Sequence, residues 1–199
     1  MSSDNVDTRT RILNATWQLL EADEGRGVRM SDIARQAGIS RQAVYLHFPT
    51  RSELLIATTR YLDDIKGIDQ RLAASRATTN GVERLNAFID AWGNYIPEIH
   101  AIAKALLAMK DTDEAAALAW DDRMRAVRHG CEAAVEAIVK NGRLSREISA
   151  GQATDMLWMM LSVRNWEQLT AQCGLSQIQY IDTMKHIARH SLLDAPVSC

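Results

Sequence analysis

Apolar residues recur at intervals of three and four along almost the whole chain. That period marks helices with one buried face. Alternating Val, Ile and Thr runs of strand type are absent. A first helix is expected from Asp7 or Thr8 to about Glu21, burying Ile12, Ala15, Thr16, Leu19 and Leu20 and flanked by Leu13 and Trp17. Residues 1–7 read as a frayed polar lead, and 23–27 as a loop. Next come two short helical patterns and one turn. Ile33, Ala34 and Ala37 share a face, Gly38 suits a left-handed helix end, and Ile39 tucks under the turn. Ser40 can cap a second helix over 41–48. There Val44 and Phe48 face inward, while Arg41, Gln42 and Tyr45 face outward. Pro49 stops it.

Residues 51–66 then form a longer helix with Leu54, Leu55, Thr58, Leu62 and Ile65 inside. Residues 67–81 are polar and read as a helix end plus loop. Leu85, Phe88, Ile89 and Trp92 mark a helix that Pro97 closes. Ile99, Ile102, Ala103, Leu106 and Leu107 mark a shorter one. Residues 115–139 form a long alanine-rich helix ended by Asn141-Gly142. The most apolar stretch, 152–172, reads as one helix ended by Gly174. The last helix covers 176–193, with Ile178, Ile181, Met184, Ile187 and Ala188 inside, and a disordered tail follows from Asp194. The expected fold is all-α with about nine helices. Residues 1–50 would form a three-helix head, 51–66 a connecting helix, and 67–199 a larger helical domain.

A helix, a glycine turn and a short polar-faced helix make a helix-turn-helix, whose second helix enters the DNA major groove. Arg41 can pair bidentately with guanine, Gln42 with adenine, and Ala43 can touch a thymine methyl. Asp32-Ile33-Ala34, Ala37-Gly38-Ile39-Ser40 and Val44-Tyr45-Leu46-His47-Phe48, followed by Arg51 and Leu54-Leu55, also resemble the tetracycline-repressor-like (TetR) family of bacterial regulators. The Tyr-x-His-Phe run with a basic residue three positions on is the most specific part. The detailed likeness covers roughly 9–60. Beyond it only length and helical pattern agree.

The resemblance implies phosphate contacts by Tyr45, His47 and Arg51, the last at a helix start where backbone N–H groups also face an anion. Family members often carry a capping Thr or Ser where this chain has Arg29. Arg29 can still reach a phosphate, and Ser31 is expected to take over the cap. The resemblance also implies a transcriptional regulator, most simply a repressor. A small molecule in the C-terminal domain would shift the helix over 51–66 and so respace the two heads of a dimer.

Charge and composition sharpen this picture modestly. The net charge is −2, but residues 9–51 hold seven arginines against four carboxylates. A mildly basic head on an acidic body orients the molecule on DNA. Three cysteines without framework spacing argue for a reducing cytoplasm. No signal-like segment and no long apolar run suggests export or membrane insertion. No nucleophile elbow, phosphate-binding glycine loop or zinc-protease helix is visible, so an enzyme and a cofactor are not expected. His186 and His190, with Asp182 four before, have metal-ligand spacing, but no partner elsewhere completes a site.

Tryptophan and methionine are concentrated in the C-terminal domain. Trp92, Tyr95, His100, Met109, Trp120, Met124, Trp158 and Met159 are the candidate effector-binding residues, suiting an apolar or aromatic ligand of low charge. The expected partners are double-stranded DNA with a near-palindromic operator, that effector, and a second copy packed through the last two helices. Two other readings stay open: a constitutive dimeric DNA binder without effector, and a regulator switched by a protein partner.

Overall fold

The computed structural model describes residues 2–22 and 28–194. The expected loop over 23–27 and the tail from 195 lie outside the described residues. No strand occurs among the described residues, only an isolated bridge between Leu144 and Leu193. The chain divides into two compact units: Met1–Lys66 with Ile99–Met124, and Gly67–Glu98 with Arg125–Cys199. This cut differs from the division read from the sequence, because the middle of the chain joins the head.

In the first unit, α1 (Ser2–Ala22), α2 (Met30–Ala37), α3 (Arg41–His47) and α4 (Arg51–Lys66) build the head. The first helix starts at Ser2, earlier than its apolar stripe suggested. Arg29 occupies the cap position of α2 by its extended backbone alone, and no side chain caps it. Ser31 lies inside the first turn, so the expected transfer of the cap to it does not occur. Gly38 is left-handed (φ 66°), and Ile39 N–H returns to Ala34 O at 3.0 Å. A side chain at Gly38 would strain that turn. Ser40 Oγ accepts from Ala43 N–H at 3.1 Å, capping α3 as expected. Thr50 does the same for α4 through Glu53 N–H. Ile12, Ile33, Val44, Leu54 and Leu55 form a core continued by Ile102, Leu106, Met109 and Ala119. Ile65, expected inside, is exposed.

The second unit corrects four expectations. Residues 67–81 contain a helix, α5 (Ile68–Ala77), despite their polar pattern. It is anchored by Arg71 to Glu98 at 2.6 Å and by Ser75 Oγ to Arg84 O at 3.1 Å. Pro97 does not end its helix: α6 runs unbroken over Gly81–Met109. Proline removes the N–H that would serve the carbonyl of residue 93. Gln177 Nε2 donates to that carbonyl instead, at 2.9 Å, so the buried acceptor stays satisfied.

After α7 (Glu114–Lys140), the single helix expected over 152–172 is broken. It forms α8 (Ala150–Met160), a short α9 (Val163–Glu167) and a π-helical turn over Gln168–Gln172. Ser162 causes the break by capping α9 through Asn165 N–H, while Trp92 Nε1 takes the Leu161 carbonyl at 2.9 Å. Capping boxes at Ser149/Gln152 and Ser176/Gln179 start α8 and α10 (Gln177–Leu192). Ile178 and Ile187, expected inside α10, are exposed.

Candidate nucleic-acid interface

The geometry of α3 follows from its two buried anchors. Val44 and Phe48 are fully shielded and define the inward direction. At about 100° per residue, the outward centre falls on Gln42, Ala43 and Leu46, with Tyr45 on one flank, His47 on the other, and Arg41 behind Tyr45 toward the inner side. Arg41 Nη2 donates to Tyr45 Oη at 3.2 Å, and its guanidinium lies 5.5 Å from that ring centroid. The two form one unit on their flank. Ser40, Arg41, Gln42 and Tyr45 are exposed, while Ala43 and His47 are half-buried.

Two open clefts border this helix. One, of about 600 Å³, is lined by Val28, Arg29, Met30, Ser31, Arg41, Arg51 and Asp113. It brings together four of the nine residues expected to meet DNA, three of them arginines around one carboxylate. The other, of about 610 Å³, takes in His47 together with Arg9, Phe48 and Arg60. Arg9 lies over the Phe48 ring at 4.8 Å.

Arg51, expected to meet a phosphate, is engaged within the protein. Its Nε donates to Val28 O at 2.7 Å, and its Nη1 reaches both carboxylate oxygens of Asp113 at 2.6 Å. Asp113 also accepts from the N–H groups of Ala115 and Ala116, at the start of α7. Burial alone would raise the Asp113 pKa. The Arg51 hydrogen bond and charge and the two backbone donors outweigh it and hold the carboxyl below its ordinary value. Two further pairs, Arg60–Asp122 at 2.7 Å and Asp63–Arg123, tie α4 to α7 within the same unit. Sequence reasoning missed Asp113 because its partner stands sixty-two positions earlier. It passed over Leu46 because the family motif drew attention to that residue's neighbours.

Residues 12–58 match the family model described as bacterial regulatory proteins, tetR family. Those residues are a TetR-family DNA-binding head. Within them α2 and α3 form the DNA-binding helix-turn-helix of such regulators. The HTH-type transcriptional regulator CymR of Pseudomonas putida is 26% identical over 166 residues, 79% of this chain and 75% of that one. The nucleoid occlusion factor SlmA of Marinomonas is 33% identical over 64 residues; the match spans 32% of each chain, about a third of that relative's length. The fold agrees with that of the transcriptional regulator FadR of Bacillus subtilis, solved with stearoyl-CoA (TM-score 0.71, 13% identity, 90% of this chain and 96% of that one).

The eight residues expected to line an effector site do not share one unit. Trp92, Tyr95, Trp158 and Met159 are in the second unit, whereas His100, Met109, Trp120 and Met124 are in the first. Met109 is buried in the head's core, and Trp120 packs against it. Met159 is 59% exposed, so it faces away from any interior. Trp92 and Tyr95 pack with ring centroids 5.7 Å apart. In the same unit the Tyr180 hydroxyl is buried without a hydrogen-bond partner, and burial pushes its pKa up. The Cys131 thiol is buried too and pushed up to about 12, which leaves it unreactive. His186 and His190 stack on α10 at 4.1 Å, but no metal-binding group occurs among the described residues. No described helix is long and apolar enough to cross a membrane.

Proposed function

We propose that this regulator is a repressor that binds a near-palindromic operator as a homodimer and is released by a small apolar or aromatic ligand. It acts in the cytoplasm, where bacterial DNA lies. The observation that carries the reading is the outward face of α3. A seven-residue helix capped by Ser40 turns Gln42 and Ala43 away from the Val44–Phe48 anchor and leaves Arg41 and Tyr45 exposed along one edge. Gln42 reads a base edge, and Arg41 and Tyr45 meet the duplex from their flank. Arg29, Ser31 and His47, in the bordering clefts, serve the phosphates. Arg51 acts mainly as a positioning residue, because its donors already hold Asp113 and the Val28 carbonyl.

Dimerisation through α8 and α10 is supported by apolar residues left in solvent. Met159 and Ile178 are 59% and 74% exposed. Such residues in the last helices suit a two-fold contact. Half-sites would then stand about 34–36 Å apart, or a multiple of that. For the ligand, the support is the Trp92–Tyr95 pair and Trp158 in one unit, which also holds a buried Tyr180 hydroxyl without a hydrogen-bond partner. The Bacillus subtilis regulator of the same fold was solved in complex with stearoyl-CoA, a molecule with a long apolar chain.

The test is selection of bound duplexes from a random pool by the full chain, with sedimentation of the free protein. Enrichment of a two-fold sequence by a dimer is expected. A monomer, or a pool that stays random, overturns the operator reading. Flat lipophilic compounds should raise the melting temperature and release the selected duplex. If only charged metabolites do so, the ligand class is wrong.

A further inference from the structure

Leu46 is the one large apolar side chain on the outward side of α3. At 81% exposure it is the most exposed of the large hydrophobic residues described. It stands opposite the midpoint of the buried Val44 and Phe48, one helical turn beyond Gln42 and three positions after Ala43. Arg41 does not cover the centre of this face, since it is tied to Tyr45 at the edge. The centre is therefore an amide beside two apolar groups.

We infer that Leu46 is a specificity-determining residue that packs on the 5-methyl group of a thymine in each half-site. The inference rests on the operator reading above and adds a named base to it. The major-groove edges of the four base pairs offer one apolar group, and it is the thymine methyl. A leucine against the amino edge of cytosine or adenine would strip water from a donor and return no hydrogen bond, which is unfavourable. Thymine at that step is thus selected both by contact and by exclusion. The Gln42 amide, one turn away, suits adenine, so the two side chains together favour an A·T-rich core in each half-site. A solitary exposed leucine, with no second large apolar side chain at the centre of this face, does not make an apolar protein-docking patch.

The experiment takes the duplex selected by the full chain and replaces each thymine in turn by deoxyuridine, which lacks only the methyl. Affinities of wild type and Leu46→Ala are read by fluorescence anisotropy at fixed salt. One thymine per half-site should lose about fourfold in wild-type affinity on demethylation, the worth of one buried methyl-sized group. Leu46→Ala should lose a similar factor on the native duplex and be indifferent to that demethylation. Its melting temperature should equal that of wild type, since the side chain touches little protein.

If every demethylation affects both proteins alike, or Leu46→Ala binds unchanged, the inference is overturned while the operator reading stands. A lower melting temperature for Leu46→Ala would show the leucine packed against protein and would also overturn it. If the selection enriches no sequence, the operator reading fails and the inference falls with it.

Discussion

Replacing Asp113 by asparagine isolates the charge that joins the start of α4 to the start of α7. The amide can still accept from the Ala115 and Ala116 N–H groups, so the helix cap survives while the ion pair with Arg51 is lost. The paired side chains retain only 21% and 25% of their exposure. Fully exposed pairs contribute about 0.2–1 kcal/mol, and shielded charge-assisted hydrogen bonds about 1.5–3. The Arg51–Asp113 pair lies between them, so Asp113→Asn should cost about 1–2 kcal/mol. Asp113→Ala also removes the cap and should cost about 1 kcal/mol more. Each kcal/mol lowers the melting temperature by about 2–4 °C at this chain length.

The pH dependence gives the sign. The Asp113 pKa is lowered in the fold, so its stabilisation is complete above the ordinary carboxylate value of about 4. It fades as pH falls through the lower, folded value. The gap between wild type and Asp113→Asn, measured by calorimetry, should be full at pH 7 and close below about pH 4. Equal melting at pH 7, or a gap that persists unchanged to pH 3, would refute the reasoning. Operator binding supplies the functional arm. Arg51→Ala and Asp113→Asn should weaken it alike without changing its salt slope. Arg51→Ala alone making the slope shallower by about one unit would instead make Arg51 a phosphate contact.

Three other outcomes follow from the same geometry. Gln42→Ala should cost about 1–3 kcal/mol at one base pair per half-site and leave other positions alone, as read by affinity on single-substituted duplexes. Met159→Lys and Ile178→Lys, both at exposed positions, should shift sedimentation toward monomer while preserving helicity. Charges at Leu161 or Ile181 would instead damage the interior of one subunit, because those side chains are buried. Tyr180→Phe should leave stability unchanged or raise it by up to about 1 kcal/mol, since a buried hydroxyl without a partner is unfavourable. A clear drop in melting temperature would mean that the hydroxyl is already satisfied.

The head was legible in the sequence because its determinants are local. The Gly38 turn, the Ser40 cap and the Val44–Phe48 spacing all act within a few residues. The misreadings came where distant residues decide the outcome. Pro97 breaks a helix by local rules, yet Gln177, eighty-four positions away from Gly93, satisfies the carbonyl it strands. The polar run over 68–77 lacks an apolar stripe, but Arg71 and Ser75 anchor it to α6. Helical periodicity also ran straight through Ser162, whose capping hydroxyl is a stronger local signal than the apolar run that hid it. In the candidate interface, outward position on α3 could be read from spacing alone, and applying it to Leu46 would have found that residue. The Trp and Met residues could not be sorted this way, because periodicity marks a buried face without saying which unit buries it.

The central claim is that α3 enters the major groove of a specific duplex. Dimethyl sulfate methylates guanine N7, which lies in that groove, so protection from it on the selected duplex is the direct measurement. Wild type should protect guanines in two patches about one helical turn apart, at salt concentrations where Gln42→Ala and Arg41→Ala protect them less. Unprotected N7 positions in a bound complex, or protection identical in wild type and both variants, would contradict it.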